Sequence, residues 1–156
     1  MTEPRAPSNV VRQKGTDMGR WRVPLAGLLS WAVVQGATGA VGQSNAVTVP
    51  IAGDGIQRIE ITIDSYSFTP DHLIVKRHVP VELILTSVTL IIPHNFALKA
   101  PEAGMNIEVE VPPRGTATVL FTPKATGTFR FLCTKTPFLF KSHEEEGMVG
   151  VLEVVS

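Results

Sequence analysis

Four side chains in this sequence share an affinity for one kind of ion. Cys133 is the only cysteine, and it begins a stretch, CTKTPFLFKSHEEEGM, that continues through His143 to Met148. His94 lies about forty residues upstream of that cysteine, in Pro93-His94-Asn95-Phe96. One thiolate, two imidazoles and one thioether suit a copper ion cycling between Cu(I) and Cu(II), with two His and the Cys in a trigonal plane and a weak axial Met. A lone cysteine says little, because free Cys is among the most buried residue types and usually only packs. A His followed by Cys, His and Met in order, closing into an apolar segment, says much more. The remaining histidines, His72 and His78, sit in turn-like sequence with no sulfur nearby and read as ordinary surface residues.

Side chains so far apart in sequence need a scaffold, and the alternation of the chain supplies one. Arg58 to Ile63 alternates apolar and polar residues strictly, which marks a strand with one buried face. Leu73–Lys76, Val81–Thr86, His94–Lys99, Ile107–Val111, Thr116–Phe121, Phe129–Cys133 and Val149–Val154 read as further strands, with turn residues between them. About eight short strands with no helical period and no internal repeat predict an all-β sandwich. Val88 to Ile92 is apolar enough to be either a covered strand or a greasy rim to the site.

The text around the ligand candidates resembles the cupredoxins, the small blue-copper proteins of the plastocyanin and azurin type. His143-Glu-Glu-Glu-Gly-Met148-Val-Gly150 has the plastocyanin-like interval between His and Met, then Met-x-Gly and an apolar strand. Gly127-Thr-Phe129-Arg-Phe131-Leu-Cys133 is similar to the family's aromatic-alternating approach to its Cys, and His94-Asn95 to its first ligand and following Asn. The resemblance implies a Greek-key sandwich over residues 57–156 and one copper ion held by His94, Cys133, His143 and Met148. It also implies a bond from Asn95 across to the Cys loop, which would hold the ligands in orientation. Nine residues, Thr134 to Ser142, separate Cys from His, against two to four in plastocyanin-like and azurin-like proteins. Doubling a loop costs only about 0.6 kcal/mol, so the insertion does not exclude the site. Phe138-Leu139-Phe140 within it are expected to pack over the metal.

The first 46 residues read differently. A polar start is followed by Arg20 and Arg22 and an apolar run from Val23 to Val34, then small residues to Ala46. That order is the pattern of a secretory signal peptide, and twelve apolar residues fall short of the roughly 20 that span a bilayer. Translation from Met18 and cleavage after Ala46, or near Gly39–Ala40, are the expectations, with an uncleaved anchor or a buried helix as the alternatives. Residues 47–56 read as a short linker, and nothing before 47 is expected to pack on the core.

Beyond Ala46 there are 12 acidic and nine basic residues, a mildly acidic domain with no basic stripe and so no sign of nucleic-acid binding. No acid–base or nucleophile constellation is present, and a single Cys argues against a two-thiolate binuclear copper centre. The leading expectation is an exported, periplasmic or secreted, monomeric one-electron carrier. Its partner, an unidentified redox protein, would dock near an exposed edge of His143. A copper carrier or sensor, a small copper enzyme with an open coordination position, and a metal-free accessory domain of a metal-uptake system are the competing readings.

Overall fold

The computed structural model describes residues 10–14, 46–137 and 140–156, with the first of these as backbone only. The proposed leader core from Arg20 to Val34 lies outside the described residues, as do Phe138 and Leu139. Eleven strands form two sheets. In chain order they are β1 (Val10–Lys14), β2 (Val47–Thr48), β3 (Gln57–Asp64), β4 (Ser67–Thr69), β5 (His72–Lys76) and β6 (Val81–Ser87). There follow β7 (His94–Ala100), β8 (Met105–Val111), β9 (Thr116–Phe121), β10 (Gly127–Leu132) and β11 (Val149–Val155). One sheet has the order β1-β9-β6-β3-β4, the other β2-β5-β11-β10-β7-β8.

The alternation read from sequence is the alternation that fills the space between the sheets. In β6, Val81, Leu83 and Leu85 are buried, and in β8 so are Met105, Ile107, Val109 and Val111, with exposed Asn or Glu between them. Side chains two apart share a face, so each strand offers one apolar row to the other sheet. Eight of the eleven strands coincide with the eight expected segments. The insertion from Ala100 to Gly104, a loop by composition, contains a short 3-10 helix at Pro101–Ala103, closed by Gly104 in the left-handed region.

Two expectations about the N-terminal part are corrected. Val47–Thr48 is a strand and not a linker, since it runs parallel to β5, and Val49 behind it is a core residue. Residues 10–14 do pair with the sandwich, antiparallel to β9 from Val10↔Leu120 to Lys14↔Thr116. Without that pairing β9 would be an edge strand with a row of unpaired N–H and C=O groups, which an extended segment satisfies.

The turn between β5 and β6 lacks a glycine, and His78 takes up the left-handed backbone there at φ 63°. Val88 to Ile92 is not a covered strand but a rim. Val88 donates to the Ile63 carbonyl, and Thr89 is buried, bonded to Ser87 Oγ at 2.9 Å and to the Ile92 carbonyl at 2.8 Å. These bonds hold up an exposed Leu90 and an Ile91 that is 84% exposed.

Candidate metal centre

Strand periodicity aims two of the donors at one another. On β7, His94 lies on the same face as Phe96 and Leu98; beside it, Cys133 follows Phe131 by two residues just past the end of β10. β7 and β10 pair at Phe131↔Leu98 and Leu132↔Ala97, and continuing that register brings Cys133 beside Phe96 and Thr134 beside Asn95. Phe96 and Phe131 stack at 5.1 Å, and Phe68 meets Phe131 edge-on at 5.2 Å, giving the site an aromatic floor. The close packing of that floor requires Gly150, which lies opposite Phe131 across β11. A Cβ there would overlap the Phe131 ring and come within 2.7 Å of the Asp71 carbonyl oxygen.

The third donor is returned by the long loop, and its nine residues are shorter in effect than in count. The His143 N–H donates to the Lys135 carbonyl at 2.9 Å, fastening the ligand back to the start of the loop. The Lys135 ammonium in turn pairs with Glu110 of β8 at 2.7 Å. Ser142 and Glu145 cap the next turn reciprocally: the Ser142 N–H donates to Glu145 Oε2 at 2.7 Å, and the Glu145 N–H donates to Ser142 Oγ at 3.2 Å. Glu145 is therefore a capping residue within the exposed acidic run. Gly147, at φ 96°, turns the chain into Met148. The Met148 N–H donates to the His143 carbonyl at 2.8 Å, and the Cys133 N–H donates to the Met148 carbonyl at 3.2 Å, so its backbone is tied to both neighbours.

His94, Cys133 and His143 converge, with their ligand atoms all within 4.8 Å of one another. The Cys133 sulfur is 3.3 Å from Nδ1 of His143 and 4.0 Å from Nδ1 of His94. Metal bonds of about 2.0 Å to nitrogen and 2.3 Å to sulfur, opened to 120°, would set those separations at about 3.7 Å. The donors thus stand at the spacing that one ion of this size requires. All three residues are buried, and so is Met148. His72, by contrast, lies 3.5 Å from Glu153 of the neighbouring strand β11, away from the donors, and His78 is exposed in its turn.

Asn95 spans the gap between β7 and the Cys loop. Its Nδ2 donates to Thr134 Oγ1 at 2.7 Å and its Oδ1 accepts from the Thr134 N–H at 2.8 Å. Its own backbone N–H points at the Cys133 sulfur, 3.5 Å away. Burial pushes the Cys133 thiol above its ordinary range, while the N–H groups of Asn95 and Lys135 oppose this by favouring the thiolate. Burial is also the main reason His94 falls to about 4, with the charge of His143 adding to it. His143 is lowered as well, by burial and then by Lys135. Both rings therefore stay neutral near pH 7, the form in which an imidazole nitrogen can hold a metal.

Two expectations for the surface above the site change. His143 is only 1% exposed, and no bare imidazole edge meets the solvent. Tyr66 stands against it edge-on, with ring centroids 5.1 Å apart. Phe140 does not pack onto the sandwich: it is 76% exposed and borders a groove of about 370 Å³ whose walls also include Tyr66, Ile91, Pro93, Pro137 and His143. No motif marks Tyr66; the tight hairpin between β3 and β4, in the other sheet, delivers it.

A thiol and two neutral imidazoles, buried together at one end of a two-sheet sandwich, define a small metalloprotein domain of the blue-copper type. The chain belongs to the cupredoxin-like domain family, whose family model matches residues 30–149. That family is one of copper proteins, and the His94–Cys133–His143 set could hold one such ion. Among solved structures, the fold is similar to reduced auracyanin of the photosynthetic bacterium Roseiflexus castenholzii, at 20% identity and a TM-score of 0.54, covering 64% of this chain and 97% of that one. It is also similar to the metal-binding domain of the Cu(I)-exporting P-type ATPase CopA of Streptococcus pneumoniae D39, at 20% identity and a TM-score of 0.53, covering 74% of this chain and all of that domain. No curated protein sequence gives a match. Among the described residues, no helix is long and apolar enough to cross a membrane.

Proposed function

We propose that this protein is an exported copper protein that carries single electrons. The observation that carries the reading is the buried triad itself, in which two imidazole Nδ1 atoms face one cysteine sulfur at 3.3 and 4.0 Å. When bound, a copper ion would supply the one-electron couple between Cu(I) and Cu(II). His94, Cys133 and His143 would hold it, and Met148, fixed by its backbone beside Cys133 and His143, would offer a weak thioether donor. The residues around the triad favour a site that changes little between redox states. Asn95 and Thr134, Lys135 and His143, and Lys135 and Glu110 form three separate ties across the ligand loop. Each limits the rearrangement that would otherwise slow electron exchange. Burial keeps water off the thiolate, and no described group is placed to activate a substrate, which supports transfer over turnover.

The partner in this reading is a redox protein that docks on the apolar groove walled by Tyr66, Ile91, Pro137 and Phe140, above His143. The leader-like segment from Arg20 to Ala46 supports delivery to a periplasmic or extracellular compartment, where the domain from Val47 onward would act as a monomer, β1 being removed with the leader.

The test is an absorption spectrum on adding Cu(II) to purified apo-protein. A thiolate ligand gives an intense charge-transfer band in the visible, and Cys133→Ser removes it because a hydroxyl cannot replace the covalent sulfur donor. Met148→Leu retains copper and shifts the potential. Loose Cu(II) binding with tight Cu(I) binding and rapid transfer to a competing chelator would replace electron transfer with copper carriage. Uptake of neither ion at micromolar concentration would overturn both and leave a metal-free accessory domain.

A further inference from the structure

We infer that Tyr66 is a positioning residue of the metal centre, closing the outer side of His143 with its ring. The inference rests on the reading above only in naming His143 as a ligand. Its support is geometric. Asp64 and Ser67 pair across a two-residue hairpin whose first residue, Ser65, has φ 39°, and Ser67 Oγ donates to the Asp64 carbonyl at 3.0 Å. A hairpin that tight fixes the direction of the residue after Ser65. Two residues on, Phe68 of β4 is buried in the aromatic floor, so the strand that follows Tyr66 is anchored from beneath.

From that anchor the Tyr66 ring meets His143 at 78° with centroids 5.1 Å apart. His143 in turn lies 5.0 Å from His94. The three rings are in successive contact, both imidazoles flank the sulfur, and Tyr66 is 39% exposed while His143 behind it is 1% exposed. One side of His143 is therefore covered by a side chain from the opposite sheet. Edge-to-face packing also restricts rotation of the imidazole about its Cβ, which holds Nδ1 toward the sulfur. The hydroxyl has no part in this. The phenol is needed as a ring, and phenylalanine should serve.

The experiment uses diethyl pyrocarbonate on the apo-protein, with modified histidines mapped by peptide mass. Exposed His78 is the reactive reference and buried His94 the protected one. In the wild type and in Tyr66→Phe, His143 should label as slowly as His94. In Tyr66→Leu and Tyr66→Ala it should label at least about tenfold faster with His94 unchanged, while the thermal midpoint stays close to wild type. After copper loading, the same two variants should lose metal to a chelator about tenfold faster, and Tyr66→Phe should not. Unchanged labelling of His143 in both Tyr66→Leu and Tyr66→Ala would overturn the inference. So would a parallel rise at His94, which would mean general loosening, or a Tyr66→Phe protein as reactive as Tyr66→Leu. Failure of the wild type to take up copper would sink the proposed function, while the labelling result would still decide the role of Tyr66.

Discussion

The clamp between Asn95 and Thr134 gives the sharpest quantitative test, because it consists of two bonds that can be removed separately. Asn95→Ala removes both, the 2.7 Å bond to Thr134 Oγ1 and the 2.8 Å bond from the Thr134 N–H. Each is worth about 1 kcal/mol net, and the buried amide leaves a small void, so the apo-protein should lose about 2–3 kcal/mol. For a domain of this size that corresponds to a fall in thermal midpoint of about 10 °C. Thr134→Val removes only the Oγ1 acceptor and should cost about 1 kcal/mol. The double variant should then be little worse than Asn95→Ala alone, giving a coupling energy of about 1 kcal/mol in a cycle measured by denaturant unfolding. The backbone N–H of Asn95 still reaches the sulfur in every variant, so copper uptake should survive. Its visible band should broaden as the cysteine gains freedom. Strict additivity of the two substitutions, within the 0.3–0.5 kcal/mol expected of independent sites, would refute the clamp.

Other consequences can be checked by simple measurements. Gly150→Ala would force a methyl group into the Phe131 ring and toward the Asp71 carbonyl, and should destabilise by about 3 kcal/mol in urea; Phe131→Leu in the same chain should recover part of that. His78→Gly relieves a left-handed residue and should raise stability by about 0.5–1 kcal/mol, provided its N–H keeps the 2.8 Å bond to the Pro123 carbonyl. Because His94 is lowered to about 4 and His143 is lowered too, the unfolded chain binds more protons than the folded one between about pH 6.5 and pH 4. Apo-protein stability should therefore be complete above about pH 6.5 and fall as the pH drops to 4. His94→Gln should flatten that slope in thermal unfolding at graded pH, and a steeper slope would contradict the assignment.

Much of the scaffold was legible because alternation is a local signal. Strands β3 and β5–β11 each carry a row of apolar residues at period two, and that row is what packs. Strands β2 and β4 have two and three residues, too few for a period to show, and β1 lies in a polar stretch without a hydrophobic period; β1 and β2 add to open edges of the two sheets and β4 folds back on β3. The donor triad could be read because residue type carries the chemistry. The surroundings of His143 could not be. Its expected exposed edge is covered by Tyr66 from a hairpin in the other sheet, and Phe140, apolar and so expected to be buried, stands in solvent at the rim of a groove. Both outcomes depend on how two distant loops meet, which no local pattern encodes.

The position of β11 bears on when the site can come into being. This strand follows every other in the chain, yet it lies inside its sheet, parallel to β5 on one side and antiparallel to β10 on the other. His143 and Met148 are delivered by the segment that leads directly into it. Until β11 has slotted between strands made earlier, β5 and β10 are not joined and Cys133 has neither its second imidazole nor its thioether neighbour in place. A chain emerging from a ribosome offers none of the thiol until Cys133 and only His94 with Cys133 until His143 follows, a poor grip on any metal. The complete donor set is thus assembled only when β11 docks between β5 and β10, so the metal centre is among the last parts of this fold to form.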